Sequence, residues 1–249
     1  MAGRLAARVL ACLVLLASAV AARAAEVQVS PVVVTLSPAT RSAIIVVRNQ
    51  GQATTRFELH VRSWEQGPTG EMVLSATDGI AVYPPVLTVA PGEERNVRVG
   101  ATSEFGPVER TFRLLMDEMP PPETPESGSQ VRVVTRLSLP VFLAPAKGAE
   151  KAVLADLAVR GGKVSVRLLN EGTIHVLPTS VKLSGLDGGG KSLFEIDLPA
   201  WYVLAGGRRD YEATIPRDSC GSLQALEVSA TLPREVIRTK LARPGLCAP

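Results

Sequence analysis

The chain has 249 residues, 46% of them hydrophobic and 20% charged, a globular balance that excludes a disordered or fibrous polymer. Nineteen Pro and twenty-one Gly are too many for a helical bundle and suit a turn-rich β protein. Three of the 27 basic residues (Arg4, Arg8, Arg23) lie in a removable N-terminal stretch, and without them 24 basic residues balance 24 acidic ones. A neutral mature protein has no global field to attract nucleic acid or anionic lipid, so neither is expected as a partner.

In chain order, the first element is a basic start followed by an apolar run from Val9 to Ala22 and the small-x-small triplet Ala22-Arg23-Ala24. This is the grammar of a secretory signal peptide over residues 1–24. The run is about 14 residues where a bilayer span needs roughly 20, so no membrane anchor is expected. Cys12 leaves with the signal, and the remaining pair, Cys220 and Cys247, is expected to form a disulfide in an oxidising compartment. Closing that loop of about 28 residues stabilises by roughly 3.5 kcal/mol in the chain-entropy model.

From Val27 onward, short alternating or β-branched blocks recur: Val27-Val29, Val32-Val34, Ile44-Val47, Phe57/Leu59/Val61, Val97/Val99, Phe112/Leu114 and Val131/Val133. Gly, Pro, Asn or Asp bounds each, which predicts strands and turns. Val86-Val89, bracketed by prolines, can only be a short edge strand or extended loop. Pro120 to Gln130 is polar and proline-rich and reads as a loop. The non-periodic segment Ala146-Lys147-Gly148-Ala149-Glu150 marks a domain boundary, giving domains at 25–145 and 146–249.

Two features repeat across that boundary. Arg48-Asn49-Gln50-Gly51 resembles Leu169-Asn170-Glu171-Gly172, and the Val89-Ala90-Pro91-Gly92 turn resembles Leu204-Ala205-Gly206-Gly207. Two immunoglobulin-like sandwiches of related plan explain the repeats and the turn spacing, so the expected fold is all-β.

A catalytic set is not evident. His60 sits in an alternating strand and His175 follows a turn; each reads as solvent-side or satisfied, and neither has metal-ligand spacing with the cysteines. No G-x-S-x-G elbow occurs, and Gly185-Leu186-Asp187-Gly188-Gly189-Gly190-Lys191 lacks phosphate-loop spacing and reads as a hairpin turn. Aromatics are 4% of the chain, too few for a stacking platform, and Trp64 and Trp201-Tyr202 read as core or corner residues. No enzyme, cofactor or metal site is therefore expected; binding is the better reading, with a hydrolase the remote rival.

The order of features resembles the PapD-like periplasmic chaperones of chaperone–usher pilus assembly. The resemblance rests on Tyr83-Pro84-Pro85, then Val89-Ala90-Pro91-Gly92 and Val97-Arg98-Val99; on Glu109 to Leu115 leading to Asp117-Glu118-Met119-Pro120-Pro121; and on Tyr202 to Arg209. It implies two immunoglobulin-like sandwich domains in an L, no chemistry, and pilus or fimbrial subunits as partners. The chaperone would lend a strand to an incomplete subunit sandwich and pass it to an outer-membrane usher. The lending strand would carry Val131, Val133, Thr135 and Leu137 on one face. Family bases that hold the subunit's terminal carboxylate are missing: the first strand reads Pro31-Val32-Val33-Val34-Thr35, Pro140 stands where a Lys is usual, and Ala144 replaces the Arg usually paired with an acid matching Glu109. Arg136, of the same parity as position 140, and Arg113 on the adjacent strand are the expected substitutes. The rival class is a secreted two-domain β-sandwich adhesin or structural subunit that itself polymerises.

Overall fold

The computed structural model describes residues 27–67, 69–120 and 134–242. The predicted signal peptide, Val131, Val133 and Cys247 lie outside them.

The described chain is almost entirely strand, as the alternation dictates. Residues up to 143 supply β1 (Val27–Ser30), β2 (Val34–Leu36), β3 (Ser42–Asn49), β4 (Thr55–Gln66), β5 (Met72–Ala76), β6 (Ile80–Tyr83), β7 (Val86–Val89), β8 (Glu94–Ala101), β9 (Arg110–Glu118) and β10 (Arg136–Leu143). They build one sheet in the order β1-β3-β8-β6 and a second in the order β2-β10-β9-β4-β5, with β7 also pairing β4. Between the two lies a core of Leu36, Ile45, Val47, Phe57, Val97, Val99, Phe112, Leu114, Met116 and Val141, all essentially without solvent contact. Every second residue of each strand supplies it, because the side-chain period of a strand is two.

Residues from 152 supply β11 (Ala152–Arg160), β12 (Lys163–Asn170), β13 (Ser180–Leu186), β14 (Ser192–Leu198), β15 (Arg208–Thr214), β16 (Ala225–Thr231) and β17 (Val236–Ala242). Two sheets, β11-β12-β15 and β14-β13-β16-β17, enclose a separate core around Leu168, Leu183, Leu226 and Val228. The glycine-rich segment closes the β13–β14 hairpin, with Asp187 Oδ1 accepting from the N–H groups of Gly189 and Lys191. In that hairpin Gly185 faces the Phe194 ring, which occupies the space a Cβ would need.

The sequence repeat is a repeated hydrogen-bond device. Asn49 is fully buried; its Nδ2 donates to the carbonyls of Ala53 and Val89 while its Oδ1 accepts from the Gly51 N–H. Asn170 does the same with Ile174, Val203 and Gly172. The backbone N–H groups of Asn49 and Asn170 donate to the carbonyls of Glu93 and Gly207. Val203 thus corresponds to Val89 and Gly206 to Gly92, both glycines in the left-handed region at φ 68° and 73°. The alignment read from sequence was displaced by one residue, because matching Pro91-Gly92 to Gly206-Gly207 ignores which glycine carries the turn.

Candidate functional site

Strand β10 is paired along its whole length on one flank and over only three residues on the other. Against β9 its register runs from Arg136 opposite Asp117 to Leu143 opposite Arg110. Against β2 it runs from Val141 opposite Val34 to Leu143 opposite Leu36. Among the described residues, nothing pairs the second flank of Arg136 to Pro140. Its backbone donors and acceptors there form a template for another strand. Exposed Val32, Val33 and Val134 add apolar surface at the ends of the neighbouring segments.

Parity assigns the side chains. Leu139, Val141 and Leu143 enter the domain's own core, and half-buried Leu137 packs on its margin. Thr135, one step farther out on that face, is half-buried, with its N–H bonded to Glu118 Oε2 and its carbonyl to the Glu118 N–H. The face carrying Thr135 and Leu137 therefore begins in the core and runs out beyond it. Of the predicted contact residues, Val131 and Val133 fall outside the described segment.

The opposite face of β10 leads to the junction between the two sandwiches. Here Phe142, Trp64, Tyr202 and Leu204 form a third, mostly aromatic cluster. Trp64 closes on Tyr202 edge to face with centroids 5.5 Å apart, and Phe142 stacks on the His175 ring at 3.8 Å. The expectation of Trp64 as a core residue fits its burial, whereas the Trp201 ring stays 44% exposed beside it.

Inside this box lies Arg113. An arginine on a strand face is ordinarily solvated, yet Arg113 is only 4% exposed. Its guanidinium carbon stands 3.8 Å from the Trp64 ring centroid, with Trp201 and Tyr202 at 5.8 and 5.9 Å. Among the described residues its guanidinium makes one hydrogen bond, a long one of 3.5 Å from Nη1 to the Ser138 carbonyl. Arg113 Nε and Nη2 and Trp64 Nε1 are buried donors without acceptors among the described residues. Burial pushes the Arg113 guanidinium down from its ordinary value, with Tyr202 acting in the smaller, opposite sense. The group nonetheless stays charged, since arginine does not give up its proton in proteins.

Register explains its position: Arg113 stands directly opposite Pro140, and directly opposite Arg62 on the other side. Arg62 is exposed and has no acidic partner among the described residues. Like charges facing each other across a ladder are destabilising. Sequence reasoning missed Arg62; the signal was its parity with Trp64 on β4, legible only once β4 is registered against β9. Arg136 stands elsewhere. It is exposed, and its Nε and Nη2 donate to the two carboxylate oxygens of Asp117, which holds it above its ordinary value. That pairing makes Arg136 a weaker candidate for an incoming anion than Arg113.

Glu109 is buried although Ala144 offers it no cation. Its Oε1 accepts from the His175 backbone N–H at 2.9 Å and lies 2.8 Å from His175 Nδ1. The His175 ring is thus satisfied across the domain junction. Glu109→Ala would strand both donors, and the expected cost is about 1–3 kcal/mol of stability, with a smaller loss for Glu109→Gln. Urea denaturation of the two variants checks this.

Residues 26–149 match the family of pili and flagellar-assembly chaperones, PapD N-terminal domain. The fold and this match define a chaperone of pilus assembly, and the chain belongs to the PapD-like family of fimbrial assembly chaperones. No curated protein sequence matches the chain. Among solved structures it is similar to a chaperone–tip adhesion subunit pre-assembly complex, CsuC–CsuE, from the archaic Csu pili of Acinetobacter baumannii. Identity is 17%, covering 86% of this chain and 98% of that one, with a TM-score of 0.58. The SafA pilin in complex with the SafB chaperone of Salmonella enterica matches at 16% identity, covering 89% and 99%, with a TM-score of 0.55. The YadV chaperone matches at 14%, covering 87% and 99%, with a TM-score of 0.57. At these identities the likeness shows the fold, two β-sandwich domains.

Proposed function

We propose that this chain is a periplasmic chaperone that caps pilus or fimbrial subunits by strand donation and delivers them to an outer-membrane usher. The observation that carries the reading is the open flank of β10, beginning where the core face of the strand runs out. Val131, Val133, Thr135 and Leu137 are the lending face, each apolar side chain contributing roughly 1.5–3 kcal/mol once buried in a subunit groove. Main-chain bonds along the flank add about 1 kcal/mol apiece and accept any strand.

Arg113 and Arg62 hold the subunit's terminal carboxylate. Three buried donors without an acceptor among the described residues, and a second cation opposite them with no acidic partner there, suit two carboxylate oxygens, with Arg136 left to its ion pair with Asp117. Neither the missing first-strand base nor Pro140 is then a defect, because the charge has moved one strand inward. Co-expression with an affinity-tagged pilus subunit tests the reading: the chaperone should co-purify in a one-to-one complex. Recovery of the subunit without it, or of this chain as a homopolymer, would reject the reading.

The Cys220–Cys247 disulfide belongs to the same proposal, as a staple for the second sandwich in an oxidising compartment. Reduction should add two mass units to the intact mature protein and lower its stability by about 3.5 kcal/mol. Mass spectrometry and denaturant melts with and without reductant read both.

A further inference from the structure

The internal repeat exposes an exchange between the domains. In the first sandwich the Ala90 N–H is capped by Glu93 Oε2 of its own turn, at 3.1 Å. The corresponding N–H in the second sandwich belongs to Leu204, and the residue corresponding to Glu93 is Gly207, which has no side chain to offer. The cap comes instead from the first domain: Gln66 Oε1 accepts from the Leu204 N–H at 2.8 Å. Gln66 Nε2 at the same time donates to the Tyr202 carbonyl at 2.6 Å. The end of β4 thereby clasps the backbone on both sides of Val203. Gly207 is what leaves room, since a Cβ there would lie 3.0 Å from Gln66 Oε1 and from the Leu204 carbonyl oxygen.

The clasped segment carries Trp201 and Tyr202, the second domain's wall of the arginine box. Arg113 Nε and Nη2 are buried from solvent and have no acceptor among the described residues. Trp64 of the first domain covers the guanidinium most closely, at 3.8 Å, and Trp201 and Tyr202 are the side of the box that the second domain supplies.

We propose that Trp201–Tyr202 is a lid on Arg113 and that Gln66 is the latch that sets the cost of opening it. This inference rests on the reading of Arg113 as an anion site. The closed state hides a cation whose donors are unsatisfied, so opening is favoured by solvation of the guanidinium and opposed by the latch and the aromatic contacts. Exposed Arg62 meets an arriving anion first, and Arg113 engages it once the lid has moved. A site that is open only part of the time binds with an apparent affinity reduced by the open fraction, so weakening the latch tightens binding.

N-acetylglycine, whose free carboxylate copies a chain terminus, and N-acetylglycinamide serve as probes of the full mature protein, titrated by tryptophan fluorescence. The acid should bind and the amide should not. Gln66→Met, which keeps the volume and removes both bonds, and Gly207→Ala, which crowds the clasp from the other side, should each bind the acid about fivefold more tightly. In both, the Leu204 amide should exchange with solvent faster than in the parent. Unchanged or weaker binding in both variants despite faster Leu204 exchange would overturn the lid; unchanged exchange would overturn the latch. Failure of parent and variants alike to distinguish acid from amide would instead reject Arg113 as the anion site.

Discussion

Arg113→Met is expected to abolish capture of a pilus subunit while leaving the free chaperone close to the parent in stability. The two effects separate because Arg113 has no acidic partner among the described residues. Its removal costs the stacking of the guanidinium on Trp64, worth about 2 kcal/mol when desolvated. It also relieves two donor atoms, Nε and Nη2, that are buried without acceptors, each a penalty of about 1–3 kcal/mol. These terms offset each other, and an apolar side chain of similar length fills the box, so the melting curve should move little or upward. In the complex the balance differs. A carboxylate brought into the junction and left with exposed Arg62 as its one cation loses about 2–5 kcal/mol, or at least about thirtyfold in affinity. Thermal melts of the free variant together with pull-down against a tagged subunit measure both quantities. A variant that melts normally and still holds the subunit at full yield would remove Arg113 from the site. Arg113→Lys should recover only part of the loss, because an ammonium keeps the charge without the planar fork.

The sandwich plan was legible in the sequence because it is a period-two pattern bounded by turn residues. Phe57 with Leu59, Val97 with Val99 and Phe112 with Leu114 read as alternating pairs, and each pair enters the first core. The arginine box was not legible, and the reason is physical. Arg113 and Arg62 are 51 positions apart and meet only through ladder register, while Trp201 and Tyr202 come from another domain. The same holds for Glu109, whose missing arginine at position 144 is replaced by a histidine from beyond the boundary. The paired Asn-x-Gly motifs were visible as letters, but their use was not: a buried amide tying two carbonyls and a turn N–H requires knowing which strand end lies opposite.

A second expected result locates the point at which β10 stops serving its own core and begins to serve another chain. Leu139→Asp should prevent folding, since Leu139 is 7% exposed in the first core and an unpaired carboxylate there costs several kcal/mol of a stability typically of 5–15. Val133→Asp should leave folding untouched and eliminate the co-purifying subunit, because on the proposed reading its side chain enters only the partner's apolar groove, where the same charge has no counter-ion. Leu137 lies between the two regimes: half-buried against its own core, it should lose about 1–2 kcal/mol of stability on substitution by alanine and a comparable share of subunit affinity. The measurement is a paired one, the urea midpoint of each free variant against the yield of subunit it retains. Midpoints that recover along the order 139, 137, 133 while subunit loss persists at 133 trace a strand shared between two proteins. Full retention of the subunit by Val133→Asp would place the lending face elsewhere.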